Sequence, residues 1–320
     1  MGLETFERYE VKPGDKIEAI AARFRTTVRA IAERNGGTLL RVGQTLWIPV
    51  GGSSEPPLPK GQGGRPYLPA ILPRLNVIGS EILSPAVTGR NEFELRLRLA
   101  LFMIPVDPGP LGATADISWR RSVQIVSWPM GSFETFKADA KAKAEKFWSY
   151  RFRSWPPDGY PFFNWPAGAN GRPCGVACTL SINYTLSQQG ASHRIKCYRR
   201  AAGEITAALD SGSWTDSILS DQNQDLADKS GTTIPTRNNT LAHEVGHLLG
   251  LSHPVCNGDE RVCYGEGGEA WQIRNIMGAG DLVNSSNSTP WLDRIEQHTG
   301  IPKDQWTVHV LDSLGLPLYL

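Results

Sequence analysis

Residues 243–253 read HEVGHLLGLSH, bringing His243, His247 and His253, half of the chain's six histidines, into one stretch with Glu244 beside the first. On an α-helix His243 and His247 stand one turn apart, roughly 40° around the axis, so both imidazoles can reach one metal ion. Glu244 lies on the neighbouring flank, too close in sequence to be an easy third ligand but well placed to take a proton from a water the metal activates. Leu241, Val245, Leu248 and Leu249 follow the i, i+4, i+7, i+8 pattern on the opposite face, which lets the helix pack into a core while presenting its histidines. Gly250 supplies a left-handed end, and the turned chain can bring His253 back as third ligand.

The five fixed positions would recur by chance in a chain of this composition at about 1 in 10^5. The stronger competitor is a purely structural zinc site, but such sites usually close the metal with four protein ligands, often cysteines. Three histidines leave one position open for water. The segment resembles the extended zinc signature of the metzincin metallopeptidases, H-E-x-x-H-x-x-G-x-x-H. The resemblance implies one catalytic Zn2+ on His243, His247 and His253, with Glu244 as general base. It also implies a methionine in a tight turn beneath the metal, and Met277 in NIMGAG, one of only four methionines, occupies such a place. Thr289-Pro290 offers an N-cap and a proline at the first helical position, so Trp291 to Thr299 is expected as the helix that follows this turn. Where astacin-like and serralysin-like members carry a tyrosine two residues after the methionine, this chain has Ala279, while Pro254 after the last histidine resembles the serralysin type. The subfamily therefore stays open. The chemistry implied is amide hydrolysis by water without a covalent intermediate. For Tyr264, a role in stabilising the oxyanion stands against that of an ordinary loop tyrosine, and the second is preferred.

A net charge of +1 and the lack of a basic cluster interleaved with aromatics argue against a nucleic-acid partner. The longest apolar stretch, Leu97 to Val106, contains Arg98 and Pro105 and is too short to span a bilayer, so no membrane span is expected. The first residues lack both a basic start and an apolar h-region. The expectation is a chain that is cytoplasmic before export and leaves, without a secretory signal peptide, for the periplasm, the cell envelope or a target cell.

All five cysteines lie in the second half. Cys256 and Cys263 bracket a short loop after the third histidine, where a disulfide would stiffen the link to the methionine turn. Cys174, in RPCGVA, is expected to pair with Cys178 or Cys197; a switch role like that of the cysteine in matrixin precursors is the weaker alternative.

Residues 1–50 form a self-contained unit. Tyr9-Glu10-Val11 reads as a strand entering the turn Pro13-Gly14. Asp15 and Glu18 make a capping-box-like helix start, a second helix runs from about Thr27 to Arg34, and Gly43 to Pro49 closes with a strand. This β-α-α-β order, with Y-x-V-x-x-G-D near its start and V-G-Q-x-L-x-I-P at its end, resembles a LysM domain. That resemblance implies binding of N-acetylglucosamine-containing glycans, chiefly peptidoglycan and chitin, in a groove walled by Gly14, Asp15 and Lys16 and by the loop from Leu40 to Gly43. Lys16 replaces the usual Thr or Ser. The alternative is a module that docks the chain onto another protein. Residues 51–73, rich in Gly and Pro, read as a linker that tethers the rest to whatever the module binds. Residues 74–116 read as a β-rich accessory segment, clearest in the alternation from Phe93 to Leu99.

Residues 117–320 read as the catalytic domain, with a strand over Ser122–Trp128, a long helix over Phe133–Phe152, strands over Val176–Leu186 and Ile195–Tyr198, and then the histidine helix. The fold class expected is α+β: a metzincin-like zincin domain preceded by the small βααβ module and a linker. Trp155 to Pro166 is too irregular to place. His193, His298 and His309 have no partner at ligand spacing and read as structural or surface residues.

The function expected first is a zinc endopeptidase acting on proteins or peptides. LysM would carry it to peptidoglycan or envelope material, and it would be exported as a bacterial effector or toxin with a secretion apparatus or an immunity protein as further partners. The alternatives are a peptidoglycan stem-peptide endopeptidase or amidase, and a structural or adaptor component of an injection apparatus.

Overall fold

The computed structural model describes residues 5–24, 31, 42–50, 79–118, 121–157, 163–165, 172–204, 211–256 and 260–311. The linker expected over 51–73 lies outside them. Over the described residues the chain is a mixed α+β protein, and none of its described helices is long and apolar enough to cross a membrane.

The N-terminal unit is built on β1 (Thr5–Glu10) and β2 (Thr45–Val50), antiparallel from Thr5↔Val50 to Glu10↔Thr45, with α1 (Ile17–Arg23) between them. Tyr9, Val11, Ile17, Ile20, Ala21, Ile31, Leu46 and Ile48 form its own buried cluster. The second helix expected over Thr27 to Arg34 falls outside the described residues except for Ile31, which is fully buried.

The rest of the chain is organised by one nine-stranded mixed sheet. Its strands are β3 (Gly79–Leu83), β4 (Phe93–Pro105), β5 (Ala113–Ser118), β6 (Arg121–Val126), β7 (Phe152–Trp155), β10 (Val176–Tyr184), β11 (His193–Arg200), β12 (Ser213–Thr215) and β15 (Thr307–Val310). Two short antiparallel pairs lie outside it, β8 (Asn164–Trp165) with β9 (Arg172–Pro173) and β13 (Gln222–Ala227) with β14 (Thr233–Asn238). The order across the sheet is β15-β7-β10-β4-β11-β6-β5, with β3 added on β4 and β12 on β11.

The 13-residue β4 is the axis of this sheet. It runs parallel to β10 over Phe93–Leu101 and parallel to β11 over Leu101–Pro105, and its first half also pairs antiparallel with β3. This corrects the division at residue 116. Residues 79–116 are not a separate accessory layer, because their longest strand lies between two later strands, Phe93 pairing with Val176 and Leu101 with His193. The alternation seen in the sequence is real: Leu95, Leu97, Leu99 and Leu101 are fully buried on the core face. On the other face the charges are paired. Glu94 accepts hydrogen bonds from Arg96, from Thr179 at 2.9 Å and from the Tyr150 hydroxyl at 3.1 Å, and Glu81 pairs with Arg98.

Two of the helices that pack on the core face bear on the site. Helix α3 (Ser132–Trp148) follows α2 (Pro85–Thr88) in the chain and buries Phe136, Ala140, Ala144, Phe147 and Trp148, a single helical stripe. It ends four residues short of the expected Phe152. Tyr150 turns left-handed at φ 63°, and its N–H donates to the Cys178 carbonyl at 2.8 Å, so pairing with the sheet takes the chain out of the helix and into β7. Helix α4 (Thr240–Leu248) lies in the same core cluster as α3 and the sheet. The indole N–H of Trp148 donates to the Ala242 carbonyl at 3.0 Å, joining the two helices in the interior.

Cys174, Cys178 and Cys197 are free thiols, which overturns the pairing expected for Cys174. Cys178 lies on extended β10, four residues beyond Cys174. That is about 13 Å of strand against the roughly 7 Å limit between bridged Cα atoms. Cys197 lies on β11 opposite Pro105 of β4, whereas Cys178 lies opposite Leu95, so ten residues of strand, about 33 Å, separate Cys197 from the Cys178 end of the sheet.

Candidate metal centre

Helix α4 begins where the Asn239 side chain accepts the Ala242 N–H at 3.2 Å, a local N-cap. Leu241, Val245, Leu248 and Leu249 are buried against the core, so the opposite face carries His243 and His247. Gly250, at φ 93°, reverses the chain, and the Leu251 N–H returns to the Gly246 carbonyl at 2.9 Å. That reversal brings His253 beside the other two. His247 Nε2 lies 3.1 Å from His243 Nε2 and 3.1 Å from His253 Nε2. Among the described residues no other group of three or more His, Cys, Asp or Glu side chains is gathered closely enough to hold a metal ion.

The opposite nitrogen of each ring explains the arrangement. His243 Nδ1 lies 2.7 Å from the Ile276 carbonyl, His247 Nδ1 2.8 Å from the Leu251 carbonyl, and His253 Nδ1 3.0 Å from the Cys263 carbonyl. A carbonyl oxygen only accepts, so each Nδ1 carries the proton and each neutral ring turns an Nε2 lone pair toward the common point. Burial, and after it the neighbouring His247 and His253, pushes the His243 pKa down to about 3. Burial also lowers His247 and His253. Three neutral rings with converging lone pairs repel one another unless a cation lies between them. Tetrahedral coordination at about 2.05 Å separates ligand nitrogens by about 3.3 Å, close to the spacing observed, so the donor set fits Zn2+. Glu244 is buried next to His243 on the same helix.

Met277 is buried in the turn below the helix, and its neighbour Ile276 supplies the carbonyl that holds His243. The turn is tied by the Met277 N–H to Asn275 Oδ1 at 2.8 Å and by Asn275 Nδ2 to Asn287 Oδ1 at 3.0 Å. It leads to α7 (Thr289–Thr299), which follows the short helices α5 (Glu260–Cys263) and α6 (Ala270–Arg274). Ser288, not Thr289, occupies the N-cap of α7. Glycines make the close approach possible. A Cβ on Gly246 would lie 2.4 Å from Met277 Sδ, and one on Gly280 would lie 2.0 Å from the Arg274 carbonyl oxygen. Gly280→Ala is therefore expected to cost at least about 2 kcal/mol, because backbone must shift to admit the methyl. Chemical denaturation reads this directly, and a loss below about 0.5 kcal/mol would show that the turn tolerates a side chain.

Tyr264 stacks on His243, with ring centroids 5.3 Å apart, and meets His253 edge-on at 5.2 Å. Its ring thus belongs to the wall of the site, a closer association than that of an ordinary loop tyrosine. Cys256 and Cys263 form a disulfide immediately after His253. Of the remaining histidines, His193 contacts the Leu248 carbonyl at 3.0 Å, His298 contacts Ser80 Oγ at 3.1 Å and His309 is exposed. Residue types did not disclose the three carbonyls that orient the ligands, since any residue can present one.

In the N-terminal unit Gly14, at φ 85°, and Lys16 are exposed. Asp15 faces its own loop, with Oδ2 accepting from the Tyr9 hydroxyl at 2.8 Å and from the Lys12 N–H at 2.7 Å. It therefore shapes the loop; the side chain of Glu18, the other half of the expected capping box, lies outside the described residues. Val11 exchanges backbone hydrogen bonds with Gly43 and Gln44, which sets the two expected groove walls side by side; Leu40 and Arg41 lie outside the described residues. Residues 9–49 match the LysM domain family, whose members bind N-acetylglucosamine-containing glycans such as peptidoglycan. No curated protein and no solved structure matches the chain.

Proposed function

We propose that this protein is a zinc-dependent endopeptidase of metzincin type, delivered to peptidoglycan or envelope material by its LysM domain. The observation that carries the reading is the triple of Nδ1–H donors held by Ile276, Leu251 and Cys263, which aims three imidazole lone pairs at one point beside a buried glutamate. Zinc held there would polarise a scissile carbonyl and bring the pKa of water toward neutrality. The three histidines hold and orient the ion through fixed tautomers. Glu244 accepts the proton of the attacking water and passes it to the leaving amine, which departs neutral. The buried Met277 turn keeps the His243 acceptor in place.

The order of helix, reversal at Gly250, third histidine, methionine turn and α7 supports the metzincin comparison. Ala279 leaves the place two residues after the methionine without a phenol, and Tyr264 presents its ring to the site from the preceding loop. The Cys256–Cys263 disulfide favours an oxidising working environment, in keeping with export to the envelope or a target cell as an effector. The LysM domain also favours a second reading, hydrolysis of peptidoglycan stem peptides by the same chemistry.

The test is a mass spectrum of products after the zinc-loaded protein is incubated separately with an unfolded protein and with purified peptidoglycan. Internal peptide cleavage that stops on chelation and returns with zinc is the expected result. Released muropeptides with intact protein would select the second reading. Intact substrates in both incubations would overturn the enzymatic proposal and point to an adaptor.

A further inference from the structure

We infer that the Cys256–Cys263 disulfide is the positioning element of the third metal ligand, so that the thiol–disulfide state of this pair sets the protein's affinity for zinc. The inference rests on the zinc reading above and concerns how the site is assembled.

His243 and His247 belong to α4, whose backbone is fixed by its own hydrogen bonds and by core packing. His253 has no such support. Among the described residues, no backbone hydrogen bond joins Ser252–Cys256 to the body of the fold. The His253 ring touches the rings of His243 and His247, and away from them it is oriented by the hydrogen bond from Nδ1 to the carbonyl of Cys263, a member of the disulfide itself, and by the edge of Tyr264, the next residue. Cys263 is buried and well anchored. It closes α5 and runs into Gly265, where a Cβ would lie 2.9 Å from the Ile273 N, so this segment is pressed against α6 and the methionine turn. The disulfide ties Cys256, three residues past His253, to that anchor across a separation of seven residues. It thereby holds both the ligand and the acceptor that fixes its tautomer.

Reduction by a dithiol delivers two electrons and two protons, leaves thiols on Cys256 and Cys263, and converts the reductant to its own cyclic disulfide. His253 then keeps its ring partners but loses the covalent tie that brings them together, and the ion is left with two well-placed imidazoles and one loosely placed. Removing a partner that orients a metal-bound histidine costs about 10–100-fold in affinity, and the same range is expected here. In a reducing cytosol the chain would hold zinc weakly; in an oxidising compartment the site would be complete.

The experiment is zinc competition against a chromophoric chelator on the full-length protein, oxidised and after dithiol treatment, with circular dichroism checking that the fold persists. Substitution with Co2+ gives a ligand-field spectrum that reports the number and placement of nitrogen ligands, which a general loss of stability would not alter in a folded protein. Expected results are a 10–100-fold weaker zinc affinity and a changed Co2+ spectrum on reduction. The Cys256→Ser/Cys263→Ser double variant should show the weak affinity in both conditions, and should that variant fail to fold, the dithiol titration of wild type decides alone. Equal affinities in the two redox states, or tighter binding after reduction through the freed thiols, would overturn the inference while leaving the zinc reading intact. Failure of the oxidised wild type to bind zinc would overturn that reading as well.

Discussion

Glu244→Gln is expected to keep zinc at wild-type stoichiometry and to lower turnover by about 10^2–10^4-fold, the range a positioned general base contributes. The substitution is nearly isosteric at a buried site, so the helix and the three histidines should be undisturbed. The amide cannot accept the proton that water must lose, and that step then has no base at the position adjoining His243. Metal analysis together with steady-state rates on a peptide taken from the observed cleavage sites would check both halves. Wild-type turnover in the variant would remove Glu244 from the mechanism. Loss of zinc would make it a ligand instead, contrary to the three-histidine site.

Trp148→Ala should be the most destabilising single change in the interior, at about 3–5 kcal/mol. Trp148 is fully buried at the end of α3, packs 6.0 Å from Trp291 and donates its indole N–H to the Ala242 carbonyl beside His243. Its removal leaves a cavity directly under the histidine helix. A native domain has only about 5–15 kcal/mol in hand, so the loss should appear as a large fall in denaturation midpoint. Zinc should recover part of it, because a ligand that binds only the folded form stabilises that form. Trp148→Phe, which refills most of the volume without the N–H donor, should cost clearly less. A loss for Trp148→Ala below about 1 kcal/mol would show that α3 and α4 are not coupled through this side chain.

Much of this protein was legible because the deciding signals are local. The four-residue step from His243 to His247, the reversal at Gly250 and the seven-residue step between Cys256 and Cys263 involve neighbours in the chain, and helix geometry alone relates them. The β-α-α-β pattern of the first fifty residues is equally short-ranged, and it is the part for which a family match exists. Secondary structure in the larger domain was readable wherever burial follows a period, as along α3 and β4.

The sequence alone therefore marks out three histidines, a glutamate and a methionine as one candidate metal centre, with a LysM domain ahead of it. Tertiary structure alone decided how they are held. The role of β4 depends on pairing with β10 and β11, and such registers are made by backbone groups every residue shares. The acceptors for His243, His247 and His253 are likewise main-chain carbonyls, two of them in loops downstream. A carbonyl has no residue type, so only the folded backbone could show which three of them turn the imidazole lone pairs toward one point.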